Sequence, residues 1–92
     1  MHGGQARLSR EQAYVLLNDI IRDVLGDDTP LIGDATRAAD VPGWDSLAHI
    51  AVLAAAEIRF GIEIRAAEVE PLATVGELVD VILRKAPRLP VA

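Results

Sequence analysis

The amino-acid sequence predicts an all-α fold: a small bundle of three long helices and one short helix, with a long first loop. Apolar residues recur with the helical period in three separate segments. A glycine or a proline follows each of these segments and ends it. The chain has 92 residues, of which 51% are hydrophobic, so it has room for one core and enough apolar material to fold it.

The first helix is predicted over residues 9 to 25. Ser9 is a candidate N-cap, and Gln12 stands at the capping-box position three residues later. Gly26 is the natural stop. The expected buried face comprises Ala13, Leu16, Leu17, Ile20, Ile21 and Val24. Residues 1 to 8, which include two glycines, are predicted to be a flexible tail, so the packed domain should span residues 9 to 86, followed by a tail at 87 to 92.

Residues 26 to 45 have no sustained periodicity and are predicted to form the long first loop. They contain two prolines, two interior glycines and several aspartates. Loops of this length in a small domain are usually functional or disordered. Leu31, Ile32 and Val41 could attach the loop to the core. The alternative is a solvated acidic linker.

A second helix is predicted from Ser46 to Phe60, with Gly61 as its stop. Its sequence, S-L-A-H-I-A-V-L-A-A-A-E-I-R-F, has apolar residues on nearly all sides. One stripe consists of Leu47, Ile50, Ala51, Ala54 and Ile58, and another of Val52, Ala55, Ala56 and Phe60. A bundle this small seldom buries a helix on every side. One stripe should therefore remain at the surface as a partner site.

The C-terminal third is predicted to contain one short helix and one long helix. Residues 62 to 64 form a short extended stretch, and residues 66 to 70 a single helical turn that Pro71 ends. Thr74 is the N-cap of the last helix, with Glu77 at its capping-box position. Val75, Leu78, Val79, Ile82 and Leu83 form its apolar face.

The composition excludes several functional classes. Because the chain has no cysteine, it can hold no disulfide, thiolate zinc site or cysteine nucleophile, and its two histidines are too few for a histidine metal site. A net charge of −5 disfavours nucleic acid and anionic membranes as partners and favours basic protein surfaces. Neither a secretory signal nor a membrane-spanning run is recognisable, so we expect a cytoplasmic monomer.

Three hypotheses account for Ser46, in the stretch G-W-D-S-L-A-H-I. In the simplest, Asp45 caps the helix and Ser46 is its first residue. In the second, Asp45, Ser46 and His49 form a catalytic triad, but residues within one helical turn do not converge as a triad requires. In the third, Ser46 is a covalent attachment point, because a helix N-terminus tolerates a phosphate and serine forms a stable phosphodiester.

The ordered motifs resemble the acyl carrier protein family. D-S-L at the start of the second helix is followed by R-F-G-I-E-I and then by A-T-V-G-E-L-V-D-V-I, so the resemblance covers roughly residues 9 to 86. It implies a four-helix acyl-carrier-type bundle that is not an enzyme. It also implies that Ser46 receives 4′-phosphopantetheine from coenzyme A through a separate magnesium-dependent phosphopantetheinyl transferase. The thiol of that arm would hold acyl groups as thioesters, which explains how a chain without cysteine could carry them.

The resemblance also assigns neighbouring roles. Asp45 matches the motif acid, and Leu47 matches the apolar residue beside the arm. We expect Leu47, Ile50, Ala51 and Ala54 to dock acyl-loading and downstream biosynthetic enzymes. Asp34, Asp40 and Asp45 precede the attachment site and are predicted to steer basic partners.

Two departures bear on the pathway. The second helix has one acid, Glu57, whereas the second helix of fatty-acid carriers is strongly acidic. In addition, Gly43-Trp44 stands where peptidyl carriers usually have a pair of glycines before the motif. No linker-rich flank indicates excision from a larger synthase. We therefore expect a discrete carrier for polyketide or other specialised biosynthesis. The alternatives are a peptidyl or aminoacyl carrier and an unmodified helical interaction domain.

Overall fold

Four α-helices connected by loops make up residues 7–86, the part of the chain that the computed structural model describes. They are α1 (Arg10–Leu25), α2 (Ser46–Phe60), α3 (Ala66–Val69) and α4 (Val75–Lys85). A short 3-10 turn, Ala38–Asp40, interrupts the first loop. The predicted all-α class and the arrangement of three long helices and one short helix are confirmed. Most of the predicted N-terminal tail and all of the C-terminal one lie outside the described residues.

The helices begin at the predicted caps. The Ser9 hydroxyl accepts from the Gln12 amide at 3.0 Å, and the Gln12 side chain accepts from the Ser9 amide at 2.9 Å. Thr74 and Glu77 form the same reciprocal pair at the start of α4. Leu8, expected to belong to the tail, is 6% exposed. It precedes the cap of α1, where an apolar residue commonly packs against the helix as a hydrophobic staple, so the packed domain begins at least one residue earlier than expected.

The core lies where α1 packs against α2 and α4. The predicted faces of α1 and α4 are turned inward, and Val81 of α4, which was not predicted, is buried with them. On α2, the stripe formed by Val52, Ala56 and Phe60 is buried. The stripe formed by Leu47, Ile50, Ala51, Ala54 and Ile58 is exposed. This division agrees with the expectation that one stripe of α2 stays at the surface.

The first loop is attached to the helices, so the hypothesis of a solvated linker is wrong. Ile32 and Val41 are buried as predicted, whereas Leu31 is 70% exposed, contrary to the prediction. The Asn18 side chain of α1 accepts from the Ile32 amide at 2.8 Å. The first amides of α4 donate to the loop: Val75 to the Thr36 carbonyl at 2.7 Å, and Gly76 to the Asp34 carbonyl at 3.1 Å. These bonds satisfy two amides that a helix N-terminus otherwise leaves unpaired.

A charged cluster ties α1, the loop and α4 together. The Arg10 guanidinium donates to the Asp34 carboxylate at 2.8 Å and to the Asp80 carboxylate at 2.6 Å. Tyr14 also donates to Asp34. Hydrogen bonds from Arg10, and then from Tyr14, hold the pKa of Asp34 below its usual value. Burial, followed by the bond to Asp34, raises the pKa of Tyr14 to about 12. The charge of Asp34 is therefore paired within the fold, and the predicted steering of partners by Asp34, Asp40 and Asp45 stays a prediction.

Within residues 7–86, no helix combines the length and the apolar character needed to cross a membrane.

Candidate functional site

A tight turn directs the chain into α2. The Trp44 amide donates to the Val41 carbonyl at 3.2 Å, which closes a turn around Pro42 and Gly43. Gly43 has φ +85°, as the third residue of a type II turn requires, and proline favours the position before it. The next bond, from the Asp45 amide to the Gly43 carbonyl at 3.0 Å, tightens the bend. Trp44 consequently points inward and is 9% exposed, while Asp45 and Ser46 face solvent.

Asp45 caps α2, and Ser46 is the first residue of the helix. The Asp45 carboxylate accepts from the Ala48 amide at 2.8 Å. The simplest hypothesis for this pair is therefore confirmed, and it leaves the Ser46 hydroxyl exposed beside the positive end of the helix dipole. An exposed hydroxyl in this position is suited to an added phosphate, since the helix N-terminus favours negative charge.

Trp44 and His49 are joined by a hydrogen bond that flanks Ser46. The Trp44 indole N–H donates to His49 Nδ1 at 3.1 Å, and the two ring centroids lie 6.1 Å apart. His49 is half-buried. Trp44 precedes the cap and His49 is the fourth residue of the helix, which are the two positions of a hydrophobic staple.

The same bond excludes the triad hypothesis. In a triad, the histidine donates its Nδ1 proton to the acid. Here Nδ1 of His49 is an acceptor for Trp44, and the carboxylate of Asp45 is engaged with the Ala48 amide. Asp45 therefore does not orient His49 as a base for Ser46.

The exposed stripe of α2 runs away from Ser46 and displays few charges. Leu47 is 79% exposed, Ile50 64% and Ile58 81%. Glu57, the one acid of the helix, turns toward the following segment and accepts from the Ile64 amide at 2.9 Å. Arg59 pairs with Asp19 of α1 at 3.2 Å. Ala48 lies beside the stripe and is half-buried against the core.

Two open cavities share part of their lining next to Ser46. A basin of about 560 Å³ is lined by Ser46, Asp45, Ile50 and Ala39 together with Ala38, Trp44 and His49. A smaller cavity of about 60 Å³ is also lined by Ala38, Trp44 and His49. Its other walls come from Val69, Leu72, Ala73, Thr74, Val75 and Leu78. The larger basin thus includes Ser46, and the smaller cavity is mostly apolar.

Comparison with known proteins identifies the class of this domain. The family model described as "Phosphopantetheine attachment site" matches residues 16–82. That match includes α2, the walls of the smaller cavity and most of α1 and α4. It therefore covers the site and most of the core that supports it.

Curated relatives and a solved structure agree with this match. The chain is 39% identical to the acyl carrier protein of Acidothermus cellulolyticus over 75 residues, which are 82% of this chain and 89% of that protein. It is 31% identical to the acyl carrier protein of Thermotoga maritima over 77 residues, or 84% of this chain and 95% of that protein. The solution structure of the holo acyl carrier protein from Geobacter metallireducens superposes with a TM-score of 0.73 at 32% identity, covering 79% of this chain and 84% of that one.

The chain therefore belongs to the acyl carrier protein family, whose members are non-catalytic carriers with covalently attached 4′-phosphopantetheine. The site fits that group. It offers an exposed serine hydroxyl, a helix N-terminus suited to a phosphate, and an open basin beside both. When bound, the group supplies the thiol on which carriers hold acyl thioesters. As a family, such carriers act with phosphopantetheinyl transferases and biosynthetic enzymes.

Sequence inspection missed two features near the site. The Trp44–His49 bond had a local indication, because the two residues occupy the staple positions around the Asp45 cap. The cluster around Arg10 had none, since its acidic partners lie 24 and 70 residues away along the chain.

Proposed function

We propose that this chain is a discrete acyl carrier protein that holds acyl intermediates as thioesters on a 4′-phosphopantetheine arm attached to Ser46. The observation that carries the proposal is the exposed Ser46 hydroxyl at the first residue of α2, directly after the Asp45 cap. The cap fixes the backbone on both sides of the serine. An incoming transferase would therefore meet a preformed helix start and would not have to order a loop.

We further propose that Asp45 acts as the motif acid through this capping role, and that the exposed stripe of α2 docks partner enzymes. Leu47, Ile50, Ala51 and Ala54 form the part of the stripe nearest Ser46. Their support is exposure: large apolar side chains displayed together are typical of interaction sites.

The apolar stripe also favours a carrier of polyketide or other specialised biosynthesis over an acidic fatty-acid carrier. The only acid of α2, Glu57, is held by the Ile64 amide, and Arg59 is paired with Asp19. The partner would therefore meet a surface with little exposed charge. Shape and apolar area, rather than ion pairing, would dominate its recognition.

Intact-mass analysis tests the attachment site. The full chain is incubated with coenzyme A, magnesium and a broad-specificity phosphopantetheinyl transferase. We expect a gain of one phosphopantetheine mass, which Ser46→Ala abolishes. Ser9→Ala is the matched control, because Ser9 is the other serine of the chain and also lies at a helix start.

Three other results of these measurements would contradict the proposal. A gain that maps to Ser9 would overturn the proposed site. No gain with several transferases would favour the unmodified interaction domain. After expression in the native host, an amino acid found on the arm would identify an aminoacyl carrier instead of an acyl carrier.

A further inference from the structure

The imidazole ring of His49 lies over the first turn of α2, where Ser46 is located. Its Nδ1 accepts from the indole N–H of Trp44, a residue five positions earlier in the chain, at 3.1 Å. Helical side chains point back toward the helix N-terminus, and residues three apart are neighbours on the helix surface. Ser46 and His49 also line the same basin of about 560 Å³. A group attached to the Ser46 hydroxyl would therefore begin next to the His49 ring.

The bond from Trp44 decides which nitrogen of His49 carries the proton. Nδ1 is the acceptor in this bond, and a neutral imidazole has one acceptor nitrogen and one N–H. The proton of neutral His49 is therefore on Nε2. Trp44 is 9% exposed, and its amide is bonded to the Val41 carbonyl at 3.2 Å. The donor that imposes this tautomer is thus itself held in place.

The Nε2–H group of His49 has no hydrogen-bond partner among residues 7–86, where the ring is bonded only through Nδ1. In the same part of the chain, no buried side-chain nitrogen or oxygen lacks a partner, so Nε2 reaches solvent. Among the residues that line the basin, the one acid is Asp45, and its carboxylate accepts from the Ala48 amide at 2.8 Å. The basin therefore offers an unused N–H donor next to Ser46.

We propose that His49 is a binding residue for the arm: its Nε2–H donates to the phosphodiester that joins the arm to Ser46, and Trp44 keeps the ring in the tautomer that allows this. The inference rests on the proposed attachment at Ser46. A phosphodiester is an anion, and hydrogen bonds to ionised acceptors are roughly twice as strong as neutral ones. The contact restrains the first atoms of the arm at the start of α2 and leaves the rest of the arm free to reach partner enzymes.

The first experiment compares the apo and holo forms of the unmutated chain in a buffer without phosphate. Long-range 15N NMR follows the ring nitrogens at about pH 8, where an unperturbed imidazole is neutral. In both forms we expect Nδ1 to resonate as an acceptor nitrogen and Nε2 as an N–H. Attachment of the arm should shift Nε2 and slow the exchange of its proton with water roughly tenfold, while Nδ1 stays in place. The signals of His49 are told apart from those of His2, the other histidine, by their absence in His49→Asn.

The second experiment separates the two ends of the ring. In His49→Asn, the amide can still accept from Trp44 near the position of Nδ1, but nothing replaces Nε2–H. In His49→Gln, the longer amide places an N–H near the position of Nε2. The arm contributes a single phosphorus atom, so its 31P resonance reports on the contact. We expect His49→Asn to move this resonance and His49→Gln to leave it close to the wild-type position. A purely structural role of His49 gives the reverse order, because His49→Asn preserves the bond to Trp44.

Trp44→Phe tests the role of the tautomer. This variant keeps an aromatic ring but lacks the N–H that donates to Nδ1. The two ring nitrogens of His49 should then share the proton, and their resonances should move toward each other. In the holo form, the phosphorus resonance should move in the same direction as in His49→Asn, by a smaller amount.

Three outcomes would overturn the proposal. A protonated Nδ1 in the wild-type apo protein would mean that Trp44 does not set the tautomer. Equal Nε2 resonances and exchange rates in the apo and holo forms would mean that Nε2–H does not reach the phosphodiester. A phosphorus shift in His49→Gln but not in His49→Asn would show that His49 acts only through Trp44. If the intact mass shows no arm on Ser46, the proposed function itself is wrong, which is distinct from an arm that attaches without moving Nε2.

Discussion

Arg10 Nη2 lies 2.8 Å from Asp34 Oδ1, and this contact joins the first turn of α1 to the middle of the first loop. The same guanidinium reaches Asp80 of α4 at 2.6 Å and the Gly76 carbonyl at 3.0 Å. One arginine thus connects three segments that are distant in sequence. The loop that precedes Ser46 is thus held by α1 and α4 as well as by its own turn.

The contribution of this contact to stability should depend on pH. Arg10 holds the pKa of Asp34 below its usual value of 3.8, so folding is favoured by the ionised carboxylate. The stabilisation is fully present above the unfolded-state pKa and is lost as the pH falls through the lower folded-state pKa. In urea unfolding, Asp34→Asn should be less stable than wild type at neutral pH, and the difference should shrink in acid. Asp28→Asn, an exposed change in the same loop, is the control. A difference that stays constant from neutral pH into acid would contradict the assignment.

Gly76 should not tolerate a methyl group. An added Cβ would lie 2.8 Å from the Asp34 carbonyl oxygen and 3.0 Å from the Asp34 Cα, both of which are backbone atoms. In most helices Gly→Ala is stabilising, by up to about 1 kcal/mol. Here we expect Gly76→Ala to lower the free energy of unfolding by about 1–3 kcal/mol, because the loop must move away from α4. Gly33→Ala has open space around the new methyl and should be near neutral. Equal urea midpoints for the two variants would contradict this prediction.

The attachment serine should matter little for folding. Ser46 is exposed and the cap is Asp45, so Ser46→Ala should cost at most about 1 kcal/mol of unfolding free energy. Leu78 is 5% exposed, and Leu78→Ala should cost about 2–5 kcal/mol because it leaves a cavity. Urea melts of both variants measure the order. A larger loss for Ser46→Ala would mean that its hydroxyl has a structural role.

Partner docking should depend on the apolar surface of α2. Ala51→Glu places a charge within the exposed stripe, where an interface would have to desolvate it. We expect the affinity of the holo form for its cognate enzyme to fall by at least about tenfold, or about 1.4 kcal/mol. Ala67→Glu, on an exposed position of α3 outside the stripe, is the control. Calorimetric titration at several salt concentrations should also show little salt dependence for wild type. A steep loss with salt, or tighter binding by Ala51→Glu, would mean that docking is electrostatic.

The helices were predictable because the features that define them are local. Ser9 with Gln12, and Thr74 with Glu77, form caps within a single turn, and the apolar period between caps and stops repeats over short distances. Asp45 and Ser46 were likewise assigned from adjacent residues. By contrast, the partners of Arg10 and the close approach of Gly76 to Asp34 are set by tertiary packing. The neighbours Leu31 and Ile32 show the same dependence on tertiary packing. Both are hydrophobic, yet Leu31 is exposed and Ile32 is buried, and hydrophobicity alone does not tell them apart.

The two bonds from the loop to the start of α4 have a consequence for how the domain opens. The Thr36 carbonyl accepts from the Val75 amide, and the Asp34 carbonyl accepts from the Gly76 amide. The loop therefore supplies acceptors for amides at the start of α4, and α4 supplies donors for carbonyls of the loop. Fraying of α4 would leave the two loop carbonyls without their donors. Detachment of the loop would leave the two helix amides without their acceptors. The two segments should therefore open as one cooperative unit, and the Val75 and Gly76 amides should exchange together in native-state hydrogen exchange. Through this coupling, unfolding at the C-terminal helix would release the segment that orients Ser46.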